Sequence, residues 1–262
     1  MPTYTESKLQ DLVNIVAHLR SESGCPWDRA QTLESMRPYL LEEVYEVLEA
    51  LEPGAGDEGL QGELGDLLFV VLLIARIGED AGRLTLANTV RGIVDKMEER
   101  HPHVFGDGAD SDEPGGIAAW EARKQRGGRS RLAGVPRTLP ALLRTHRQGE
   151  KAAAVGFDWP DAAGVLNKIQ EELAELVEAM ATGDQSAIAH EYGDLLMATA
   201  TLGRHLDTPP EATLRTANDR FADRFGRLEL LASEAGVALS TETDPAVLDG
   251  LWEQAKRGES SC

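Results

Sequence analysis

The chain has 262 residues, 42% hydrophobic and 27% charged, with a formal net charge of −19 at pH 7. That length suits one large domain or two ordinary ones, and the composition is that of a globular chain. The acidic balance excludes general binding to nucleic acid or to an anionic membrane, but not an anionic small substrate accompanied by divalent cations.

The first residues, MPTYTESKLQDLV, lack a basic region followed by an apolar core, so no signal peptide is predicted. The two cysteines, Cys25 and Cys262, offer no disulfide framework and no CxxC, which fits a reducing cytoplasm. Residues 5–20 place Leu9, Leu12, Val13, Val16 and Leu19 on one helical face. Ser21–Asp28 reads as a turn, in which Trp27 is a packing anchor or a site wall. Residues 29–51 are predicted helical, with Pro38 marking a kink or a helix start. Pro53–Asp57 breaks that pattern, and helices are predicted next over 60–79 and 86–100. The run LLFVVLLIA at 67–75 is about half of a bilayer span and reads as a buried helix.

The segment HPHVFGDGADSDEPGG at 101–116 reads as a loop, and His101 and His103 as ordinary loop histidines rather than a metal site. Residues 117–126 resume helix, and a linker follows. From 117 to 151 nine Arg or Lys stand against two Glu, a local +7. Trp120 is the one aromatic residue among them, so the segment reads as a strap for the acidic helices rather than a nucleic-acid patch. The second half is predicted as a helix over 139–154, a turn VGFDWP, helices over about 161–181, 185–205 and 209–235, and a short helix within 241–254 bearing Trp252. Aromatics are sparse at 5% and no period-two alternation is sustained. The predicted fold is all-α, with two related helical modules over 1–105 and 139–262 joined by a loop, a short basic helix and a linker over 106–138.

The relation between the modules lies in their carboxylates. Glu172 and Glu175 share one helical face, and Glu191 and Asp194 share another. The short break at Thr182-Gly183-Asp184 predicts an antiparallel hairpin with these pairs facing each other. At an effective dielectric of about 20, two such charges about 4 Å apart repel by roughly 4 kcal/mol. Hard oxygen donors gathered in this way suit Mg²⁺ or Mn²⁺. The pattern occurs twice. Glu42, Glu43 and Glu46 precede Glu63 and Asp66, with 20 residues from Glu43 to Glu63 and 19 from Glu172 to Glu191. Both copies continue Gly-Asp-Leu-Leu, and each is followed by a basic i, i+4 pair: Lys96 with Arg100, and Arg220 with Arg224, the latter two residues beyond Asn218.

One isolated acidic motif would be an ordinary solvated helix face. Its duplication at matched spacing, with a basic pair after each copy, points instead to divalent cations and a polyphosphate. The metals would bridge phosphate oxygens, and the cationic side chains would neutralise charge on a leaving pyrophosphate. A carboxylate not fully used on metal could take a proton from the attacking water.

These motifs resemble the all-α NTP pyrophosphatase superfamily, and their order resembles its two-module MazG members. GCPWD, LEEVYEVLEAL, GELGDLLF, RHPHVFG, LPALLR, VGFDW, EELAELVEA, EYGDLL, ANDRFADRF and LWEQAKR carry the likeness over nearly the whole chain. The resemblance implies Mg²⁺-dependent hydrolysis of nucleoside triphosphates to monophosphate and pyrophosphate, with Mn²⁺ as a substitute. It implies an intertwined helical homodimer and a role in nucleotide-pool housekeeping or stress. It implies Glu172, Glu175, Glu191 and Asp194 as metal ligands, and Glu171, Glu172 and Glu175 as the catalytic carboxylates. It implies Lys168, Glu171, Asp194, Asn218, Arg220, Arg224 and Trp252 as substrate contacts, with Trp252 stacking on the nucleotide or anchoring the bundle. Arg220 stands where relatives more often carry Lys, and Asp223 adds a negative charge beside Arg224. The twin set Glu42, Glu43, Glu46, Glu63, Asp66, Lys96 and Arg100 is equally intact, and spacing leaves open whether it is a second engine or a scaffold.

Two other readings compete. A ferritin-like di-iron bundle needs two Glu-x-x-His motifs. The one match, Glu98 to His101, runs into a proline, and His190 adjoins Glu191 at the wrong offset. A non-catalytic helical protein, binding nucleotides or partners, would keep the acidic pattern as surface.

Overall fold

Helix is the only regular structure among the described residues, which are 4–52, 56–105 and 130–257 of the computed structural model. The expected all-α fold is thus observed. The predicted loop beyond residue 105, the helix over 117–126 and the basic strap up to residue 129 fall outside the described residues. The chain divides into two compact units, residues 1–123 and 124–262.

The first unit contains α1 (Tyr4–Leu19), α2 (Pro26–Ala30), α3 (Arg37–Ala50), α4 (Asp57–Asp80), α5 (Leu86–Arg100) and α6 (Pro102–Phe105). Helix α4 is the scaffold, packed chiefly against α3 and also against α1 and α5. Val16 of α1, Met36, and Val70, Leu72, Leu73 and Ile77 of α4 form its core. The apolar run over 67–75 is buried on one side only, since Leu68 and Val71 remain exposed.

The helix predicted over 29–51 is interrupted. Thr32 and Ser35 each accept the other's backbone N–H, at 2.9 and 3.1 Å. Such side-chain bonds offer the backbone an alternative to helix. Pro38 sits in the first turn of α3, where a missing N–H costs nothing, so it marks a start and not a kink. Residues 26–30, read partly as turn, form α2, and Pro102–Phe105 form a short helix where loop was expected. Arg20 is nearly buried. Its Nε donates to Asp80 at 2.7 Å and its Nη1 to the carbonyl of Asp28, tying α1, α2 and α4 together.

The second unit contains α7 (Ala141–Ala153), α8 (Ala162–Thr182), α9 (Gln185–His205), α10 (Pro210–Glu234) and α11 (Pro245–Arg257). Its last helix runs through Lys256 and Arg257, which the sequence placed beyond it. Helices α8 and α9 form the expected hairpin, the most extensive pairing in the chain. Local chemistry fixes its ends. The Asp161 carboxylate accepts the Gly164 N–H at 2.9 Å and caps α8. Gly183 ends α8 at φ +73°, a left-handed position that favours glycine. Asp184 then caps α9 by accepting the Ser186 N–H at 2.9 Å. Small buried residues, Ala179 on α8 and Ala198 and Ala200 on α9, permit close packing.

The turn before α8 is clamped to the end of α9. Asp158 accepts both Nη atoms of Arg204, at 2.7 and 2.5 Å, and lies 3.1 Å from His205 Nε2. The Arg204 bond holds the Asp158 carboxyl below its ordinary range despite partial burial. Trp159 lies over Gly164, where an added Cβ would come within 3.0 Å of the indole. Helices α10 and α11 close the unit around Leu228, Ala232, Leu251 and Ala255. No helix among the described residues is long and apolar enough to cross a membrane.

Candidate active site

Each hairpin places its carboxylates together. In the second unit, donor atoms of Glu172, Glu175 and Glu191 lie within 4.8 Å of one another. A second group within the same limit contains His190, Glu191 and Asp194, so Glu191 belongs to both. In the first unit the corresponding group is Glu43, Glu46 and Glu63. The i, i+3 spacing on α8 and α3 supplies one side of each cluster, and the first turns of α9 and α4 supply the other.

The clusters differ in charge balance. Lys168 stands one turn before Glu172. Its ammonium donates to Glu171 Oε1 at 2.7 Å and contacts Glu172 Oε1 at 2.7 Å. These bonds push the Lys168 value up. Glu172 is nearly buried, with 7% of its side chain exposed, and Lys168 is its counter-charge. Glu175 is raised above the ordinary glutamate value by partial desolvation and then by the charge of Glu172.

The first unit has no such cation within its cluster among the described contacts. The residue four before Glu43 is Tyr39, whose ring meets Trp27 edge-on at 5.6 Å. Trp27 is half exposed, so it acts as a wall for Tyr39 more than as a core anchor. Glu43 is raised by desolvation and then by Glu46, Asp66, Glu63 and Glu42. Glu46 is raised by desolvation and then by Glu63, Glu42, Asp66 and Glu49. Oε2 of Glu43 is buried without a hydrogen-bond partner. A buried carboxylate oxygen lacking a donor is compatible with a cation supplying the missing partner. The donor set fits a hard divalent ion in both units.

The structure thus brings together Lys168, Glu171, Glu172, Glu175, Glu191 and Asp194 in one unit. In the other, Glu42, Glu43, Glu46, Glu63 and Asp66 lie within electrostatic reach of one another. Other expected site residues stand elsewhere. Asn218 and Arg220 lie exposed on α10, Arg224 is part-buried on the same helix, and Trp252 is on α11. Lys96 and Arg100 are on α5. Among the described contacts none joins Lys96, Asn218, Arg220 or Trp252 to a carboxylate cluster. Trp252 instead meets Phe221 at 5.5 Å, and Phe221 stacks on Phe225 at 6.1 Å. With Leu239, Leu248 and Asp249 they line a cavity of about 470 Å³. A second cavity, of about 440 Å³, opens beside Phe157, Trp159, Gln148, Met197 and Thr201.

His190 and the Asp158 clamp escaped the sequence reading. His190 fits no Glu-x-x-His pattern, yet its i, i+4 spacing to Asp194 is visible in the sequence. The partners of Asp158 are 46 and 47 residues away, and no local pattern announces them. His101 is a helix-end residue, its Nδ1 2.8 Å from the Met97 carbonyl, and the side chain of His103 falls outside those described.

Comparison with known proteins agrees with this layout. Residues 31–105 match the family model of the MazG nucleotide pyrophosphohydrolase domain, and residues 146–221 match that of phosphoribosyl-ATP pyrophosphohydrolase. The chain is 40% identical to the nucleoside triphosphate pyrophosphohydrolase of Escherichia coli K12, covering 97% of this chain and 98% of that protein. It is 41% identical to the nucleoside triphosphate pyrophosphohydrolase/pyrophosphatase MazG of Thermotoga maritima, covering 96% and 97%. It is 31% identical to the nucleoside triphosphate pyrophosphohydrolase of Mycolicibacterium smegmatis, covering 95% and 68%.

Proposed function

We propose, since the chain belongs to the MazG family of nucleoside triphosphate pyrophosphohydrolases, that it is a Mg²⁺-dependent enzyme whose working centre is the α8–α9 carboxylate cluster. It is an enzyme that hydrolyses nucleoside triphosphates to the monophosphate and pyrophosphate. The observation that carries the assignment of the centre is the convergence of Glu172, Glu175 and Glu191 within 4.8 Å, beside Lys168. Mn²⁺ would substitute for Mg²⁺ at such an oxygen-donor site.

Glu172, Glu175, Glu191 and Asp194 would hold the metal. When bound, it would neutralise phosphate charge and make a water more acidic. Release of pyrophosphate requires water to attack the α-phosphorus and the bond from that phosphorus to the bridging oxygen to break. Lys168 stands at the edge of the cluster as a cation for the phosphates. Glu171 is exposed and held at 2.7 Å by Lys168, so it can support a water or a ligand carboxylate. A Glu175 oxygen not used on the metal could take the proton from the attacking water. Asn218, Arg220 and Arg224 of α10 would clamp the polyphosphate, and Trp252 would wall the base.

A homodimer is part of the same proposal. Leu166, Leu173, Val177 and Met180 form an exposed apolar stripe along α8, and Tyr192 and Leu196 continue it on α9. Unpartnered stripes of this kind on helices support helix-to-helix association. The expected setting is the cytoplasm, where the enzyme would remove aberrant or surplus nucleotides or serve a stress response.

The test is a product assay with Mg²⁺ and a panel of nucleoside triphosphates. Pyrophosphate and monophosphate should appear in equal amounts and EDTA should stop the reaction. Orthophosphate as the sole product would overturn the reading. Glu172→Gln should abolish turnover with the helical content unchanged.

A further inference from the structure

Helix α9 carries three donors in its second and third turns: His190, Glu191 and Asp194. Nδ1 of His190 lies 3.1 Å from Asp194 Oδ2 and 3.5 Å from Glu191 Oε1. An octahedral ion with donors at about 2.1 Å has neighbouring donors about 3 Å apart. The imidazole nitrogen stands near that separation from Asp194 and slightly beyond it from Glu191, and all three donors lie within 4.8 Å of one another. The His190 side chain is 72% exposed. It faces the two carboxylates with its solvent side open.

The first unit shows what is specific about this. Its counterpart to His190, the residue before Glu63, is Gly62. Its described metal-capable group contains carboxylates alone. The two hairpins share spacing and Gly-Asp-Leu-Leu, yet one offers oxygen only and the other oxygen and nitrogen.

We propose that His190 is a metal ligand through Nδ1, making the Glu191–Asp194 side of the second cluster a mixed nitrogen–oxygen site that holds Mn²⁺ or Co²⁺ more tightly than the oxygen-only site of the first unit would, while still admitting Mg²⁺. Imidazole is a good donor for transition ions, whereas Mg²⁺ prefers carboxylate, carbonyl and water. Without an ion, Nδ1 lies 3.1 Å from Asp194 Oδ2. With an ion, the ring takes the tautomer that protonates Nε2 and leaves the Nδ1 lone pair free. The proposal rests on the second cluster being a metal site. It adds that this site and its twin differ in how tightly they hold Mn²⁺ or Co²⁺.

The experiment loads the full chain with Mn²⁺ and looks for nitrogen hyperfine coupling by pulsed electron paramagnetic resonance, with Mn²⁺ and Mg²⁺ affinities measured by calorimetry. The wild-type protein should show coupling to an imidazole nitrogen. His190→Gln should remove it and weaken one class of Mn²⁺ site by at least about tenfold, the low end of what losing even a ligand's supporting partner costs. Mg²⁺ binding should change little. Mn²⁺ bound at the second cluster without nitrogen coupling, or coupling that survives His190→Gln, would overturn the proposal. Asp194→Asn separates the two levels. If it releases a Mn²⁺ ion while the wild type shows no nitrogen coupling, the cluster is a metal site and His190 is only an exposed ion-pair partner. If Asp194→Asn leaves all Mn²⁺ binding unchanged, the metal reading of the cluster fails with the proposal. His190 is exposed, so the circular dichroism of His190→Gln should match wild type.

Discussion

Lys168 Nζ sits 2.7 Å from Glu172 Oε1, whereas the residue in the same place before Glu43 is Tyr39. Among the described contacts, one carboxylate cluster therefore carries its own counter-charge and its twin shows none. In the second unit the lysine offsets the cost of placing Glu172 almost out of water. In the first unit the same backbone geometry leaves Glu43 and Glu46 raised and Glu43 Oε2 without a donor. The lysine can neutralise a phosphate only where it exists, so the asymmetry favours the second unit as the catalytic one.

Lys168→Gln should lower kcat/KM by about 10²-fold, the scale seen when one preorganised cationic or hydrogen-bonding donor is removed. Its effect on stability has a definite sign. The Lys168 value is raised, so its contribution is fully present at neutral pH and is lost only as pH rises through the raised value. The Tm of Lys168→Gln should therefore fall at neutral pH, and Mg²⁺ should restore part of it by supplying the missing positive charge. Initial rates of pyrophosphate release and thermal melts with and without Mg²⁺ check both parts. An unchanged kcat/KM would remove Lys168 from the site.

Glu46→Gln should act in the opposite direction in the first unit. It deletes one of several like charges and leaves the shape intact. In EDTA the variant should melt slightly higher than wild type. In Mg²⁺ the order should reverse, because the variant has lost a ligand and with it the linkage stabilisation. A variant that melts lower under both conditions would show that Glu46 serves packing and not an ion.

Much of this was legible in the sequence because it rests on local rules. Hairpin α8–α9 is written in Asp161, Gly183 and Asp184, each a cap or a break whose partner lies within three residues. The carboxylate clusters follow from helical spacing on both sides of that short break. What failed to show was of two kinds. Thr32 and Ser35 stopped a helix through a reciprocal side-chain exchange that competes with propensity. Asp158, Arg204 and His205 meet only once the hairpin has folded back on itself. His190 is a different case, since its i, i+4 spacing to Asp194 is visible in the sequence. The duplication made the charge difference findable too, because aligning Glu43 with Glu172 sets Tyr39 against Lys168.

Asp158→Asn should destabilise the second unit by about 2 kcal/mol, the scale of a charge-assisted bond in a part-buried setting. The pH dependence follows from its lowered value. A depressed carboxylate contributes fully above the ordinary aspartate value. That contribution shrinks as pH falls through the ordinary range and is gone below the lowered value. The wild-type and variant Tm curves should hence run apart at neutral pH and converge in acid. A constant gap down to strongly acid pH would mean that the clamp is steric and not ionic.

Metal binding should weaken as the medium becomes acid, earlier than ordinary glutamates would cause. In the ion-free protein Glu175 is raised by desolvation and by Glu172. A raised carboxylate is relieved of its penalty by protonation, so ion-free stability rises as pH falls through that value. The ion competes with the same proton, so the Mg²⁺-induced rise in Tm should shrink over the same interval. Glu175→Gln should flatten both trends. Melts across pH with Mg²⁺ and with EDTA measure this, and a Mg²⁺ effect independent of pH would exclude Glu175 as a ligand.

Trp252 separates substrate binding from packing. Its neighbours Leu251 and Ala255 point into the α10–α11 core, while Trp252 itself is half-buried against Phe221 over a cavity of about 470 Å³. That volume falls in the range of small-molecule sites. An indole that only packs would lower stability when truncated and leave KM alone. An indole that walls a base would raise KM, since aromatic stacking on a base is worth about 1–3 kcal/mol. Trp252→Phe keeps an aromatic face against Phe221 and should hold the Tm near wild type while raising KM by a few-fold. Trp252→Ala should raise KM by about thirtyfold, the middle of that stacking range. Its kcat should fall less, because the interaction is made with ground state and transition state alike. Steady-state kinetics on both variants, alongside their melts, decide the matter. If Trp252→Ala lowers the Tm and leaves KM unchanged, the aromatic cluster of α10 and α11 is a core and the base is read elsewhere.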